Sequence, residues 1–211
     1  MVSPYHTGYV YYAALLGGLF GKYKQGDEIA QVILELLEKL NNADHLGKAY
    51  FAYGGFILHW IDKMDNAISI LERAFQLLRL SGSVMYGNFS ALYLGAFWLY
   101  RGSELQKAEE ENNRYISFIE KYNDKMIKDC LLPVTMLIKN LRNSKNTSAD
   151  LFTSKETEEQ YKSRISNYQT GNPTGWYGIH KFWYNYLFGQ YQAAENIIKE
   201  AKLFVKNTPF A

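Results

Sequence analysis

The chain has 211 residues, of which 47% are hydrophobic, 23 are Lys or Arg and 21 are Asp or Glu. This length and apolar content are enough for one domain with a buried core, which excludes an intrinsically disordered chain. The formal net charge of +2 is too small to hold nucleic acid or an anionic membrane, so we expect neither as a partner.

The single cysteine, Cys130, allows neither an intramolecular disulfide nor a thiolate-rich metal site. This use of cysteine fits a reducing compartment, and the cytoplasm is the expected location. The first residues lack the basic-then-apolar order of a signal peptide. The most apolar stretch, residues 84–100, carries Asn88 and Ser90 and is predicted to be a buried helix, not a membrane span.

Apolar residues recur at three- and four-residue spacing along most of the chain, which is typical of helices that bury one face. Long runs of Leu, Ala, Glu and Lys and the presence of only four prolines also favour helix. The chain is therefore predicted to be all-α. In chain order, the predicted helices cover residues 5–20, 27–40, 43–60, 65–80, 84–100, 104–122, 126–141, 154–168, 174–188 and 192–205.

The second predicted helix follows a break at residues 21–26 and has Asp27 as its N-cap. Its apolar residues form one stripe that we expect to be buried: Ile29, Val32, Ile33, Leu36, Leu37 and Leu40. The third helix contains Gly54 and Gly55, which lower its helix propensity by about 1 kcal/mol each. A close crossing with another helix at these glycines would offset that cost.

The second half of the chain is less regular. Pro133 lies in the seventh predicted helix, either as a kink or as a first-turn residue after an earlier break. Residues 143–152 are rich in Asn, Ser, Lys and Thr and are predicted to form a protruding loop with little to bury. Ser154 and the acidic residues that follow it mark the start of the eighth helix.

The turns between helices recur at a near-constant period. Gly21, Asp62 and Gly102 are 41 and 40 positions apart, and Gly189 follows 87 positions later, close to two further periods. The sequence Leu-Phe-Gly-Gln-Tyr at 187–191 nearly repeats the Leu-Phe-Gly-Lys-Tyr at 19–23. Such self-similarity predicts a tetratricopeptide-like α-α superhelix of about five antiparallel helix pairs, with residues 1–211 as a single helical-repeat domain.

The sequence contains no standard catalytic or cofactor-binding pattern. Residues 16–23 look like a phosphate-binding loop, but leucine takes the place of its first glycine and tyrosine that of its Ser or Thr. The four histidines lie apart from carboxylates at ligand spacing, so we expect no metal and no cofactor. An enzyme with a non-standard site around His59 and His180 is the least favoured hypothesis.

Aromatic residues make up 16% of the chain. Buried tyrosines need hydrogen-bond partners, so we expect some of these rings to line a groove, formed by the first helices of the pairs. The alternative is that the rings only fill space between long, irregular helices. The predicted groove or partner-binding residues are Tyr53, His59, Trp60, Tyr93, Trp98, Tyr100, Tyr177, His180, Trp183 and Tyr184.

Several short segments carry a resemblance to a known family: residues 56–60 (Phe-Ile-Leu-His-Trp), Ala67 and Ala74, Ser81-Gly82 and Tyr86. They are similar to the tetratricopeptide-like helical region of large bacterial signalling proteins that join a serine/threonine kinase-like domain, an AAA-type ATPase, a GAF domain and a histidine kinase. The likeness spans about residues 26–201. Ser83 departs from that family, which commonly has an acidic residue after the Ser-Gly.

The resemblance implies a fragment or a stand-alone relative of such a protein, with any kinase or ATPase activity in segments that this chain lacks. It carries over no catalytic residue. We therefore expect a non-catalytic scaffold or sensor arm in signal transduction, which binds a protein partner or a neighbouring domain. The alternative is a small-molecule sensor with a ligand in its aromatic groove, which a deep enclosed pocket would favour over an open face.

Overall fold

The computed structural model describes the backbone of residues 5–143, 150–152 and 156–205, and their side chains except those of residues 5, 6 and 200–205. Within these ranges the chain forms ten α-helices and one short 3₁₀ helix, and no strand. The all-α prediction and the predicted number of helices are confirmed.

The chain divides into two compact units, Met1–Arg101 and Gly102–Ala211. The helices of the first unit are α1 (Tyr5–Phe20), α2 (Tyr23–Leu40), α3 (Ala43–Phe56), the 3₁₀ helix (Leu58–Trp60), α4 (Met64–Leu80) and α5 (Val84–Tyr100). Those of the second are α6 (Leu105–Lys121), α7 (Lys125–Arg142), α8 (Glu158–Ile165), α9 (Asn172–Leu187) and α10 (Tyr191–Val205). The single-domain prediction stays a prediction.

Glycines occupy three of the four recurrent turns. Gly21, Gly102 and Gly189 have left-handed backbone conformations, with φ of 66°, 77° and 75°. Glycine is favoured there because it has no Cβ to clash with the following carbonyl. Asp62 differs from these three, since it follows the 3₁₀ helix and does not have a positive φ.

In the first unit, α1 packs against α2 and α3, α3 against α4, and α4 against α5. Glycines allow two of these approaches. A Cβ on Gly26 would lie 2.6 Å from the carbonyl oxygen of Ala13, and one on Gly54 would lie 3.0 Å from Leu71 Cγ. The predicted close crossing at the glycine pair is therefore confirmed at Gly54, whereas Gly55 has only ordinary van der Waals distances to its neighbours.

The predicted start of the second helix is wrong by four residues. α2 begins at Tyr23, because Gly21 and Lys22 alone complete the turn. Asp27 is therefore not an N-cap. It lies inside α2, where it accepts a hydrogen bond from the Tyr53 hydroxyl at 2.7 Å.

The predicted buried stripe of α2 is also largely wrong. The helix buries Gly26, Ala30, Leu34 and Leu37, and only the last of these belongs to the predicted stripe. The stripe residues Val32, Leu36 and Leu40 are exposed. Apolar residues cover more than one face of α2. The face that carries the small residues is buried, because these residues let α1 approach most closely.

The predicted third helix, residues 43–60, is too long. α3 ends at Phe56, and the next residues tighten into the 3₁₀ helix, with the Trp60 amide donating to the Ile57 carbonyl at 3.1 Å. The adjacent glycines weaken the α-helix just before this point. His59 and Trp60 therefore lie on a tight turn after α3.

In the second unit, α6 packs against α7, α7 against α9, and α9 against both α8 and α10. Tyr115 and Ile119 of α6 are fully buried, while Ile116 and Phe118 are half-buried. The largest fully buried side chains of this unit are Tyr115, Ile119, Ile127, Leu131, Tyr161 and Tyr184.

Pro133 lies in the middle of the continuous helix α7, so it is not a first-turn residue. Proline has no amide hydrogen, which leaves the carbonyl of Asp129, one turn earlier, without its usual helical donor. The Tyr161 hydroxyl of α8 donates to that carbonyl at 2.7 Å. A residue from a neighbouring helix thus compensates for the proline.

The predicted loop at 143–152 is only partly described, since residues 144–149 lie outside the described ranges. Leu151 and Phe152 at its end are buried, contrary to the prediction that the segment has little to bury. The Asn140 side chain donates to the Leu151 carbonyl at 2.7 Å, and the Phe152 ring stacks on Tyr161 at 4.3 Å. Two apolar residues at the end of a polar run thus anchor it to the core.

The eighth helix is shorter than predicted because its start is fixed by a capping box. The Thr157 side chain accepts from the Gln160 amide, and the Gln160 side chain accepts from the Thr157 amide. Ser154, at the predicted start, lies outside the described residues. In the described part of the chain, no helix combines the length and the apolar character needed to cross a membrane.

Candidate functional site

The ten predicted groove residues are divided between the two units. Six lie in the first unit, on α3, the 3₁₀ helix and α5: Tyr53, His59, Trp60, Tyr93, Trp98 and Tyr100. Four lie on α9 of the second unit: Tyr177, His180, Trp183 and Tyr184. The two groups differ in their surroundings, so each is described by itself.

One side of α5 carries a row of aromatic rings. The residues Tyr86, Phe89, Tyr93, Phe97 and Tyr100 recur at intervals of three or four, which places them on one face of the helix. Together with Phe51 and Phe56 of α3 and with His59, they form what we call the aromatic face. Phe51 and Phe97 are buried, and the other six are half-buried.

Phe51 lies at the centre of the aromatic face. Its ring centroid is 5.4 Å from that of Phe56, 6.1 Å from Tyr86, 6.0 Å from Phe89 and 5.7 Å from Tyr93. Most of these rings meet edge to face, the arrangement that aromatic quadrupoles favour. The rings are thus held in place by one another.

His59 and Trp60 lie at one end of the aromatic face. The His59 ring is 5.3 Å from the Phe97 ring, and burial lowers the pKa of His59, although a hydrogen bond with the Gly54 backbone opposes this. The neighbouring Trp60 is 61% exposed and stacks on Tyr23 at 5.3 Å. A neutral imidazole and an exposed indole therefore border the row of rings.

Tyr53 and Trp98 do not share the aromatic face. Tyr53 is buried, and its hydroxyl donates to Asp27 of α2. Trp98 lies on another flank of α5, five residues from Tyr93, with the Arg101 guanidinium 5.3 Å from its ring. Of the predicted residues in the first unit, His59, Trp60, Tyr93 and Tyr100 are those that the structure brings together.

The α9 residues lie in or near the core of the second unit. His180 and Tyr184 are completely buried, and Tyr177 and Trp183 are half-buried. His180 Nδ1 is 2.6 Å from the Trp176 carbonyl oxygen, which can only accept, so the proton lies on Nδ1. Burial lowers the pKa of His180 to about 4, which keeps its ring neutral at neutral pH.

A buried ion pair lies beside these residues. Lys181 of α9 donates to Glu158 of α8 at 2.7 Å, and both side chains are buried. The Tyr177 hydroxyl donates to the other carboxylate oxygen at 2.8 Å. Glu158 and Lys181 are 23 positions apart, so no local sequence pattern reveals the pair.

Asp129 of α7 is the centre of a second polar cluster. Arg164 of α8 contacts both carboxylate oxygens, at 3.0 and 3.1 Å, and the Tyr168 hydroxyl donates to one of them at 2.8 Å. The adjacent Cys130 is buried, and this burial raises the pKa of its thiol. These contacts hold α8 against α7, and a bidentate arginine is the geometry that makes such a pair strong.

We expect Tyr161→Phe to lower the free energy of unfolding by about 2 kcal/mol, because the Asp129 carbonyl loses the donor that replaces the missing amide hydrogen of Pro133. Urea denaturation followed by circular dichroism measures this loss. In the Pro133→Ala background, alanine restores the helical donor, so Tyr161→Phe should then cost much less. An equal cost in both backgrounds would contradict the compensation.

The polar clusters of the second unit thus consist of paired charges and satisfied carbonyls, which favours a role in docking helices. Among the described residues, no group of three or more His, Cys, Asp and Glu side chains could hold a metal ion. Two open surface depressions, of about 520 and 260 Å³, are lined by residues of α3 and α4 and by residues around the α6–α7 turn. Neither has an aromatic ring in its lining.

No known protein-family model and no curated protein matches this sequence. Support for a function therefore lies in the chemistry of the chain's own surfaces. The aromatic face combines partial exposure, close ring packing and three predicted residues, His59, Tyr93 and Tyr100, so it is the candidate site.

Proposed function

We propose that the chain is a non-catalytic interaction module of tetratricopeptide-like type, which binds a segment of a protein partner or of a neighbouring domain through the aromatic face. Helix pairs joined by recurrent glycine turns support the repeat architecture. The resemblance of residues 26–201 to helical regions of bacterial signalling proteins supports a role as a scaffold or sensor arm of a cytoplasmic signalling pathway.

The observation that carries the proposal is the row of rings on α5. Four of its five members, Tyr86, Phe89, Tyr93 and Tyr100, lie on one side of the helix and are half-buried, so each still presents part of its ring to solvent. Aromatic side chains bury a large apolar area and lose little conformational entropy on binding, and they dominate the energetically important positions of protein interfaces. Rings that already pack against one another have still less freedom to lose.

The shape of the aromatic face favours a polypeptide over a small molecule. The rings pack against one another, with neighbouring centroids 5.3 to 6.4 Å apart, and leave a row of partly exposed edges. Apolar side chains of a peptide can pack across several of these edges at once. A small ligand needs a concave site that encloses most of its surface.

A peptide-display selection against the full chain, followed by affinity measurements, tests the proposal. We expect selected peptides to be rich in large apolar residues. Phe89→Ser and Tyr93→Ser should each weaken their binding at least about tenfold, because each change removes a ring from the centre of the contact. Val32→Ser is the matched control, since Val32 is an exposed apolar residue of α2 that does not belong to the aromatic face.

Circular dichroism spectra should first establish that the variants remain folded. Peptides that bind the wild type and both ring variants equally would contradict the proposal. A selection that returns no peptide, combined with a planar aromatic compound whose stabilisation of the fold is lost in Tyr93→Ser, would favour the small-molecule sensor instead.

A further inference from the structure

The first and last helix pairs of the chain are two versions of one hairpin. Residues 19–23 and 187–191 differ at a single position, and Gly21 and Gly189 at the centre of each turn both have positive φ. Aligning these glycines pairs residues 5–37 of α1–α2 with the residues 168 positions later, 173–205 of α9–α10. The environments of equivalent residues can then be compared.

One side of α1 is exposed where the equivalent side of α9 is covered. Tyr9 and Tyr12 of α1 are 54% and 52% exposed, and we call the surface around them the N-face. Their equivalents in α9 are Tyr177, whose hydroxyl binds Glu158 of α8, and the fully buried His180. Helices that precede α9 in the chain therefore cover the side that the N-face leaves open.

On the other side of the hairpin, α9–α10 is exposed where α1–α2 is covered. Three apolar residues of α9–α10 are exposed and form what we call the C-face: Ile179 (42%), Tyr191 (65%) and Ile198 (41%). The equivalents of the last two are Tyr23, which stacks on Trp60, and Ala30, which is fully buried. In the first hairpin, Trp60 of the 3₁₀ helix, which follows it in the chain, packs on Tyr23, and α3 packs against both α1 and α2.

The N-face and the C-face are thus complementary surfaces. The equivalent of the N-face in α9 packs against preceding helices, and the equivalent of the C-face in α1–α2 packs against following segments, whereas the N-face and the C-face themselves are exposed among the described residues. We propose that the N-face of one copy of this chain docks on the C-face of a second copy, with the α1–α2 hairpin taking the position that a following helix pair would take. Such a contact is heterologous, because the two copies use different surfaces.

The composition of the two faces supports a second copy as the occupant. α1 contains no Asp, Glu, Lys or Arg, so its exposed side meets no like charge on docking. The net charge of +2 creates little repulsion between copies. Both faces expose large apolar side chains, and such exposed apolar surface is typical of interaction sites.

Sedimentation velocity of the full chain over a range of concentrations is the first test. We expect the wild type to associate as its concentration rises through the micromolar range. A variant with a blocked N-face, Tyr9→Glu with Tyr12→Glu, should stay monomeric. A variant with a blocked C-face, Tyr191→Glu with Ile198→Glu, should also stay monomeric, because each removes one half of the contact.

An equimolar mixture of the two blocked variants is the decisive sample. It retains one intact N-face and one intact C-face, so it should form a dimer of one copy of each variant and nothing larger. Leu80→Glu is the control, since Leu80 is an apolar residue of α4 that is 82% exposed and belongs to neither face. It should associate as the wild type does.

Three outcomes would overturn the proposal. A wild type that remains monomeric at every concentration would leave the two faces to a different protein. A wild type whose association survives both sets of substitutions would place the contact elsewhere. A mixture that remains monomeric, although each variant is folded by circular dichroism, would show that the N-face and the C-face do not bind each other.

Discussion

Replacement of Lys181 by Met should lower the free energy of unfolding by about 3–5 kcal/mol, the largest effect we expect from a single substitution. Lys181 is the charged partner of Glu158, and both side chains are buried. Removing one member of a buried pair leaves the other charge without compensation in a medium that solvates it poorly. Urea denaturation followed by circular dichroism measures the loss.

The double variant Lys181→Met with Glu158→Gln separates this explanation from lost packing. A neutral amide at position 158 can still accept the Tyr177 hydrogen bond and leaves no charge behind, so much of the stability should return. Lys199→Met is the matched control, because the Lys199–Glu195 pair is exposed and should contribute less than about 1 kcal/mol. A loss in the double variant as large as in Lys181→Met would contradict the account.

Acidification should destabilise the protein through His180. Burial lowers the pKa of His180 from 6.5 to about 4. Below about pH 6.5, His180 therefore binds a proton in the unfolded chain but stays neutral in the folded chain. The contribution of the neutral imidazole to the free energy of unfolding is thus present at neutral pH and is lost as the pH falls towards 4. The pKa difference corresponds to about 3 kcal/mol in total, of which about 2 kcal/mol is lost by pH 5.

Denaturation curves at several pH values between about 7.5 and 5 test this expectation, with His180→Leu as the comparison. Other groups titrate in both proteins, so the difference between the two slopes reports His180. The wild type should lose about 2 kcal/mol more than the variant over this range. Parallel slopes would contradict a neutral, buried imidazole at position 180.

The helical architecture could be predicted from the sequence because its signals are local. Gly21, Gly102 and Gly189 mark turns in the sequence. In the structure each adopts the left-handed backbone conformation that is typical of glycine just after the end of a helix. Helix ends were harder to place where two signals compete. At Gly54-Gly55 the apolar pattern continues while the backbone tightens, and α3 ends early.

The buried face of α2 could not be predicted, because apolar residues such as Val32 and Leu36 offer a second face that looks equally suitable. The choice depends on Gly26, whose lack of a side chain permits contact with the Ala13 backbone of α1. Contact between helices is not encoded in the periodicity of one of them. The exposed apolar flank of α2 is a direct consequence.

The candidate site was only partly predictable for a similar reason. The sequence identifies aromatic residues of the first helix in each pair, which includes Tyr93 and Tyr100 of the aromatic face. The five-residue spacing from Tyr93 already places Trp98 on another flank of the helix, but the sequence does not reveal that His180 and Tyr184 are buried. The Glu158–Lys181 pair joins residues of separate helices, so its signal exists only in three dimensions.

Photo-crosslinking of a selected peptide to the full chain tests most directly whether the aromatic face is a binding surface. A photoreactive phenylalanine analogue would replace either Phe89, on the aromatic face, or Trp98, on another flank of the same helix. The account predicts crosslinks to the peptide from position 89 and none from position 98. Crosslinks from position 98 but not from position 89 would contradict it.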